Sequence, residues 1–148
     1  MPTGDEPAPR AGYFGGGVTP TEVNVIDKVS FPAEVRTTLA ATLSTARGSL
    51  EAFANSGVAG YFGGGQDSGG NISGIDKITF LADSKTTLSA TLTTARYNMG
   101  AFANSGVAGY FAAGIDTGYI SGVDKITFSA DSKTTLAATV TSGRRGLT

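Results

Sequence analysis

The eleven residues from Ala52 to Phe62, Ala-Phe-Ala-Asn-Ser-Gly-Val-Ala-Gly-Tyr-Phe, recur letter for letter from Ala101 to Phe111. The remaining landmarks keep step with that block: Tyr13-Phe14, Tyr61-Phe62 and Tyr110-Phe111; Asp27-Lys28, Asp76-Lys77 and Asp124-Lys125; Arg47, Arg96 and Arg144. Every step is 48 or 49 residues, a period that belongs to solenoids, propellers and other arrays. The object to be explained is therefore a unit and the way it meets its neighbour.

Composition narrows the unit further. With 40% hydrophobic residues the chain is not built like a disordered segment, and its 22 glycines recur at fixed places without a Gly-X-Y period. They imply tight turns and close backbone approach. A net charge of −1 leaves no electrostatic footprint for nucleic acid or an anionic membrane. Met1 to Arg10 carries three of the five prolines and no apolar run. It reads as an extended arm rather than a secretory signal, and no stretch is long enough to span a bilayer.

Within a unit the periodicity is that of strands. Asp27, Val29 and Phe31 share one face and Ile26, Lys28 and Ser30 the other, and the Thr/Leu run Thr37–Leu43 alternates in the same way. The second unit predicts strand A over 49–55, B over 58–64, C over 74–81 and D over 86–93, and the third repeats them at 98–104, 107–113, 121–129 and 134–141. Asn55-Ser56-Gly57 supplies hairpin chemistry between A and B, and Ala82-Asp-Ser-Lys85 a turn between C and D. All length variation falls between B and C: from the Phe of each Tyr-Phe pair to the following Asp the separation is 13, 14 and 13. A segment that varies while its surroundings are copied is a surface loop, where function is carried.

Four short antiparallel strands per unit suit an all-β array of propeller blades, here at about 11–47, 48–96 and 97–148. The unit resembles the kelch repeat in its aromatic followed by a glycine doublet (Tyr61-Phe62-Gly63-Gly64), the aromatic strand end (Phe80), the Thr/Leu strand and the Arg that introduces the next inner strand (Arg96). It departs in lacking the kelch tryptophan, near whose place stand Leu39, Leu88 and Leu136, and in Ala112-Ala113 where a third doublet belongs. Its wording, Gly-Tyr-Phe-Gly-Gly-Gly with Ile-Asp-Lys-Ile-Thr-Phe, is similar to kelch-like repeats of virion and tail-associated proteins of marine and cyanobacterial phages. The first unit has B, C and D but no A, and Gly146-Leu-Thr148 matches the start of another A at Asn98-Met-Gly100. Kelch-type rings take roughly six or seven blades, so the resemblance implies closure by oligomerisation, with a neighbouring chain or an extended terminus supplying the missing strand.

The chain has neither histidine nor cysteine, which removes the Ser-His-Asp and Cys-His nucleophile systems and the usual zinc ligand sets. Asp116-Thr117-Gly118 is the aspartic-protease tripeptide, and one copy per chain could pair across a dimer. It lies in the variable B–C loop, where a turn is the better reading. Gly63–Gly70 lacks the Lys-Ser/Thr of a phosphate loop, and Asp67, Asp76 and Asp116 lack calcium-loop spacing. No cofactor or metal is expected. Arg47, Arg96 and Arg144 either satisfy backbone carbonyls at the D–A crossings or join a binding face with Gln66, Asp67, Asn71, Tyr97, Asp116 and Tyr119, since D–A and B–C loops emerge on one side of an antiparallel unit. Aromatic plates with amides and carboxylates suit a protein partner or a sugar. The expectation is a non-enzymatic structural or adhesion component of a phage virion or tail, working with copies of itself, other virion proteins or a host glycan. A small sugar-binding lectin is the alternative and an enzyme using Asp116 the remote one.

Overall fold

The structure, a computed structural model, describes residues 10–148; the N-terminal arm expected over residues 1–10 lies almost wholly outside them. The described residues are all β, with no helix, and hence none long and apolar enough to cross a membrane. In chain order the strands are β1 (Ala11–Gly15), β2 (Ile26–Ser30), β3 (Val35–Thr38), β4 (Glu51–Asn55), β5 (Ala59–Gly63), β6 (Gln66–Asp67), β7 (Gly70–Asn71), β8 (Ile75–Thr79), β9 (Ser84–Thr87), β10 (Gly100–Asn104), β11 (Ala108–Ala112), β12 (Val123–Thr127) and β13 (Ser132–Thr135). They form three antiparallel meanders, β1-β2-β3, β4-β5-β8-β9 and β10-β11-β12-β13, and the small hairpin β6-β7; none of these sheets closes on itself. One meander corresponds to each repeat, and among the described residues the first has three strands where the others have four.

The strand alternation serves two neighbours rather than a core and solvent. In the second unit Ala59, Tyr61 and Ile75 turn forward onto Phe111 and Ile126 of the third, while Phe62 and Ile78 turn back onto Ile26 and Leu43 of the first. A sheet covered on both faces reads as apolar on both, which is why β5 is buried at all five positions. Close approach demands glycine at Gly63: a Cβ there would lie 2.5 Å from the Phe111 ring. The turns behave as their residues dictate. Gly57 and Gly106 take positive φ in the A–B hairpins, and Glu34, Asp83 and Asp131 take φ of 54°, 49° and 48° in the C–D turns, a region that aspartate enters more readily than most residues.

Strand D is shorter than the Thr/Leu alternation predicts. β9 stops at Thr87, and the next nine residues leave the ladder while still donating to it at intervals, Leu88 N–H to the Ile75 carbonyl and Leu92 N–H to Ser73, both at 2.9 Å. Leu88 and Leu92 are buried where the second unit meets the third. Period-2 alternation is common to a ladder and to a chain crossing between packed sheets, and here the chain crosses to its neighbour.

Candidate functional site

The chemistry of the molecule is concentrated between units. Asp76, at the second position of β8, faces back toward the first unit and is fully buried. Its carboxylate accepts from the Ser44 amide (2.8 Å), the Ser44 hydroxyl (2.9 Å), Arg47 Nη2 (3.0 Å) and the Thr87 hydroxyl (2.6 Å). Arg47, also fully buried, further donates to the carbonyls of Phe62 (3.2 Å) and Gly74 (3.4 Å). One repeat later Asp124 accepts from the Thr93 amide (2.9 Å) and hydroxyl (2.7 Å), Arg96 Nη2 (3.1 Å) and Thr135 (2.8 Å), and Arg96 donates to the Phe111 carbonyl (3.2 Å). Burial alone would raise the Asp124 carboxyl; the bonds from Thr93 and Thr135 and the Arg96 charge outweigh it and hold the group below the usual carboxylate range. Burial draws both guanidinium groups down, against the pull of their aspartates.

The two sockets differ at the guanidinium Nε. Arg96 Nε donates to the Met99 sulfur at 3.3 Å, whereas Arg47 Nε has no partner among the described residues. Leu50 stands where Met99 stands one unit on, each against the second glycine of the preceding strand-B triplet (Gly16, Gly64). A buried donor without an acceptor is costly, and Leu-to-Met is nearly volume-conserving. Leu50→Met is therefore expected to stabilise the protein by about 0.5–1 kcal/mol, read as a higher urea midpoint with an unchanged slope.

A second clasp closes the other edge of each junction. Tyr13 and Lys28 both donate to Asp83 of the next unit at 2.7 Å, and Tyr61 and Lys77 both donate to Asp131 at 2.7 Å. Burial, then the Asp131 bond and charge, pushes the Tyr61 hydroxyl far above its ordinary range, so it remains a donor. The Asp-Lys dipeptide thus works in both directions, its aspartate toward the preceding unit and its lysine toward the following one.

The expected loop face is only partly assembled. D–A and B–C segments do run side by side, through the Gly48–Gln66 and Tyr97–Ile115 bridges, and Asn71 donates to Asp116 at 3.0 Å across neighbouring loops. Asp67 caps its own turn by accepting from the amides of Gly69 and Gly70, and Tyr119 is 64% exposed. Arg47 and Arg96 do not belong to this surface: both point inward onto backbone carbonyls and aspartates, and only Arg144 is exposed. Asp116 closes a turn, its amide donating to the Gly118 carbonyl at 3.1 Å. Among the described residues no cluster of acidic side chains could hold a metal ion. The Asp76 and Asp124 sockets escaped sequence reading, yet a signal existed, because Arg and Asp recur together at separations of 29 and 28.

Neither a scan against protein-family models nor a search of curated proteins returns a match to this chain.

Proposed function

We propose that the chain is a non-enzymatic structural or adhesion component whose kelch-like, blade-like units are made to join further units end to end, as in a phage virion or tail. What supports this reading is that the first and third units repeat the residues of the internal junctions without the cross-unit partners those residues have inside the chain, among the described residues. The first unit presents Asp27 bound, among the described residues, only by Arg36 and Thr38 of its own unit, Glu34 in the left-handed turn position of Asp83 and Asp131, and Phe14, 67% exposed where Phe62 and Phe111 are buried. The third unit presents the donors: Arg144 and Lys125 make no ion pair among the described residues, and Thr141 stands where Thr93 serves Asp124. A second copy placed by the internal geometry brings Arg144 and Thr141 to Asp27, and Tyr110 and Lys125 to Glu34. Repetition of that step gives a filament or, where the rotation closes, a propeller-like ring.

Sedimentation of the wild-type chain should show concentration-dependent assembly, and Asp27→Ala and Arg144→Ala should each abolish it. Mixing the two variants leaves one intact junction per pair and should yield dimers only. Ala112 occupies the place of Gly15 and Gly63, which receive the rings of the following Phe, so Ala112→Gly should tighten association. A wild-type chain that remains monomeric at every concentration overturns the reading. A glycan-binding role draws on exposed Tyr119 beside the Asn71–Asp116 pair, and retention on a glycan array that is lost in Tyr119→Ala would favour it.

A further inference from the structure

Beside β1 lies a cleft of about 900 Å³ whose walls include Tyr13, Gly60, Phe62 and Phe80. One repeat on, the corresponding space is full. There β4 lies along the outer edge of β5 with Phe53 opposite Tyr61. The Phe53 ring sits 5.2 Å from Tyr61, 4.6 Å from Phe111 and 6.0 Å from Phe128. Gly109 makes room for it, since a Cβ there would fall 2.0 Å from the ring. Shifted back by one unit, Tyr61, Phe111, Phe128 and Gly109 become Tyr13, Phe62, Phe80 and Gly60, the walls of the cleft. Tyr13 and Phe80 stack at 4.7 Å, and Tyr61 and Phe128, which have Phe53 beside them, at 5.3 Å.

We propose that this cleft is a binding site for an extended peptide strand of the form Ala-Phe-Ala-Asn, supplied by a partner polypeptide, that adds antiparallel to the outer edge of β1. Main-chain bonds to that edge supply affinity for any extended segment, and the aromatic seat supplies selection. The small residues on either side of the phenylalanine let the strand lie against β4 as β4 lies against β10. The terminal asparagine has its own place. Asn55 Oδ1 accepts from the Gly106 amide at 2.9 Å, and the equivalent amide, that of Gly57, lines the cleft. The residues preceding β1 do not fit this description. Met1–Pro9 contains no Ala-Phe-Ala-Asn and no aromatic residue, and it holds three prolines and the carboxylates Asp5 and Glu6. A carboxylate is disfavoured in an aromatic seat, and proline brings no N–H to a ladder. The site is independent of end-to-end assembly, because it lies between the first two units and not on an outer face.

The test is titration of the full chain with a fluorescein-labelled peptide of sequence Leu-Glu-Ala-Phe-Ala-Asn-Ser, followed by anisotropy. Saturable binding is expected, weakened about tenfold or more when the peptide phenylalanine becomes alanine or aspartate, with amide chemical-shift changes confined to β1, Gly57, Gly60, Phe62 and Phe80. Absence of saturable binding, equal affinity for the alanine peptide, or shift changes elsewhere would overturn it. Because the discriminating substitutions are in the peptide, folding of the protein is not at issue, and monomeric protein serves as well as assembled.

Discussion

Asp76→Ala is expected to lower stability by about 3–5 kcal/mol, because it leaves the Arg47 guanidinium buried without its counter-charge. Arg47 and Asp76 are both fully buried and 3.0 Å apart, and the same carboxylate anchors Ser44 across the junction and Thr87 within its own sheet. The pair is not a large net stabiliser, since desolvation offsets much of its attraction; breaking it from one side is what is costly. Asp27 is the same residue at the same place in the first unit, yet it is a third exposed and its partner Arg36 nearly two-thirds exposed. Surface pairs contribute little, so at concentrations where the wild type is monomeric the urea midpoint of Asp27→Ala should stay close to that of the wild type. The contrast separates a requirement of the fold of each unit from a requirement of the junction. Equal losses at Asp27 and Asp76 would show that the aspartate serves its own unit only.

Phe53→Ala should cost about 3–5 kcal/mol, the range for emptying a buried aromatic site. Its ring is the wedge between the second and third units, packed on Tyr61, Phe111 and Phe128. Phe102, the corresponding residue of the third unit, stacks only on its cross-strand neighbour Tyr110 and is 59% exposed. Its replacement should change stability by less than about 1 kcal/mol. Gly109→Ala probes the same contact from the opposite side by forcing a methyl into the Phe53 ring, an overpacking expected to cost about 1–3 kcal/mol. Thermal or urea unfolding of the three variants checks all of this, and a Phe53→Ala protein as stable as Phe102→Ala would contradict the wedge.

Much of the unit was legible because its signals are local. Asn-Ser-Gly and Ala-Asp-Ser-Lys mark turns by their own backbone preferences, and the alternation in Ile26–Ser30 marks a strand without reference to any neighbour. The order of strands and their antiparallel pairing follow from these. The partners of Asp76, Asp83, Asp124 and Asp131 could not be read in that way. Arg47 and Arg96 are 29 and 28 residues from the aspartates they meet, and Tyr13 is 70 from Asp83, so these contacts depend on how one sheet is laid on the next. The Thr/Leu run overstates strand D because leucines buried between units alternate just as leucines buried in a ladder do. Of the two readings open for Arg47 and Arg96, the structure takes the one in which they satisfy backbone carbonyls; a loop position alone does not reveal that its side chain turns inward.

The proposal that the outer faces repeat the inner junctions can be tested in one gel, since the chain contains no cysteine. Thr93 and Thr135 place their hydroxyl oxygens in hydrogen-bond contact across the second junction, so their side chains point at one another as the two halves of a disulfide must. The corresponding residues on the outer faces are Thr141 and Thr38. A Thr38→Cys, Thr141→Cys double variant, oxidised under native conditions, should run on a non-reducing denaturing gel as a ladder or a closed ring that collapses to one band on reduction. A Thr93→Cys, Thr135→Cys variant should form the same bond within a single chain. If the internal pair oxidises readily while the outer pair stays monomeric and reduced at high concentration, the outer faces are not halves of the same junction.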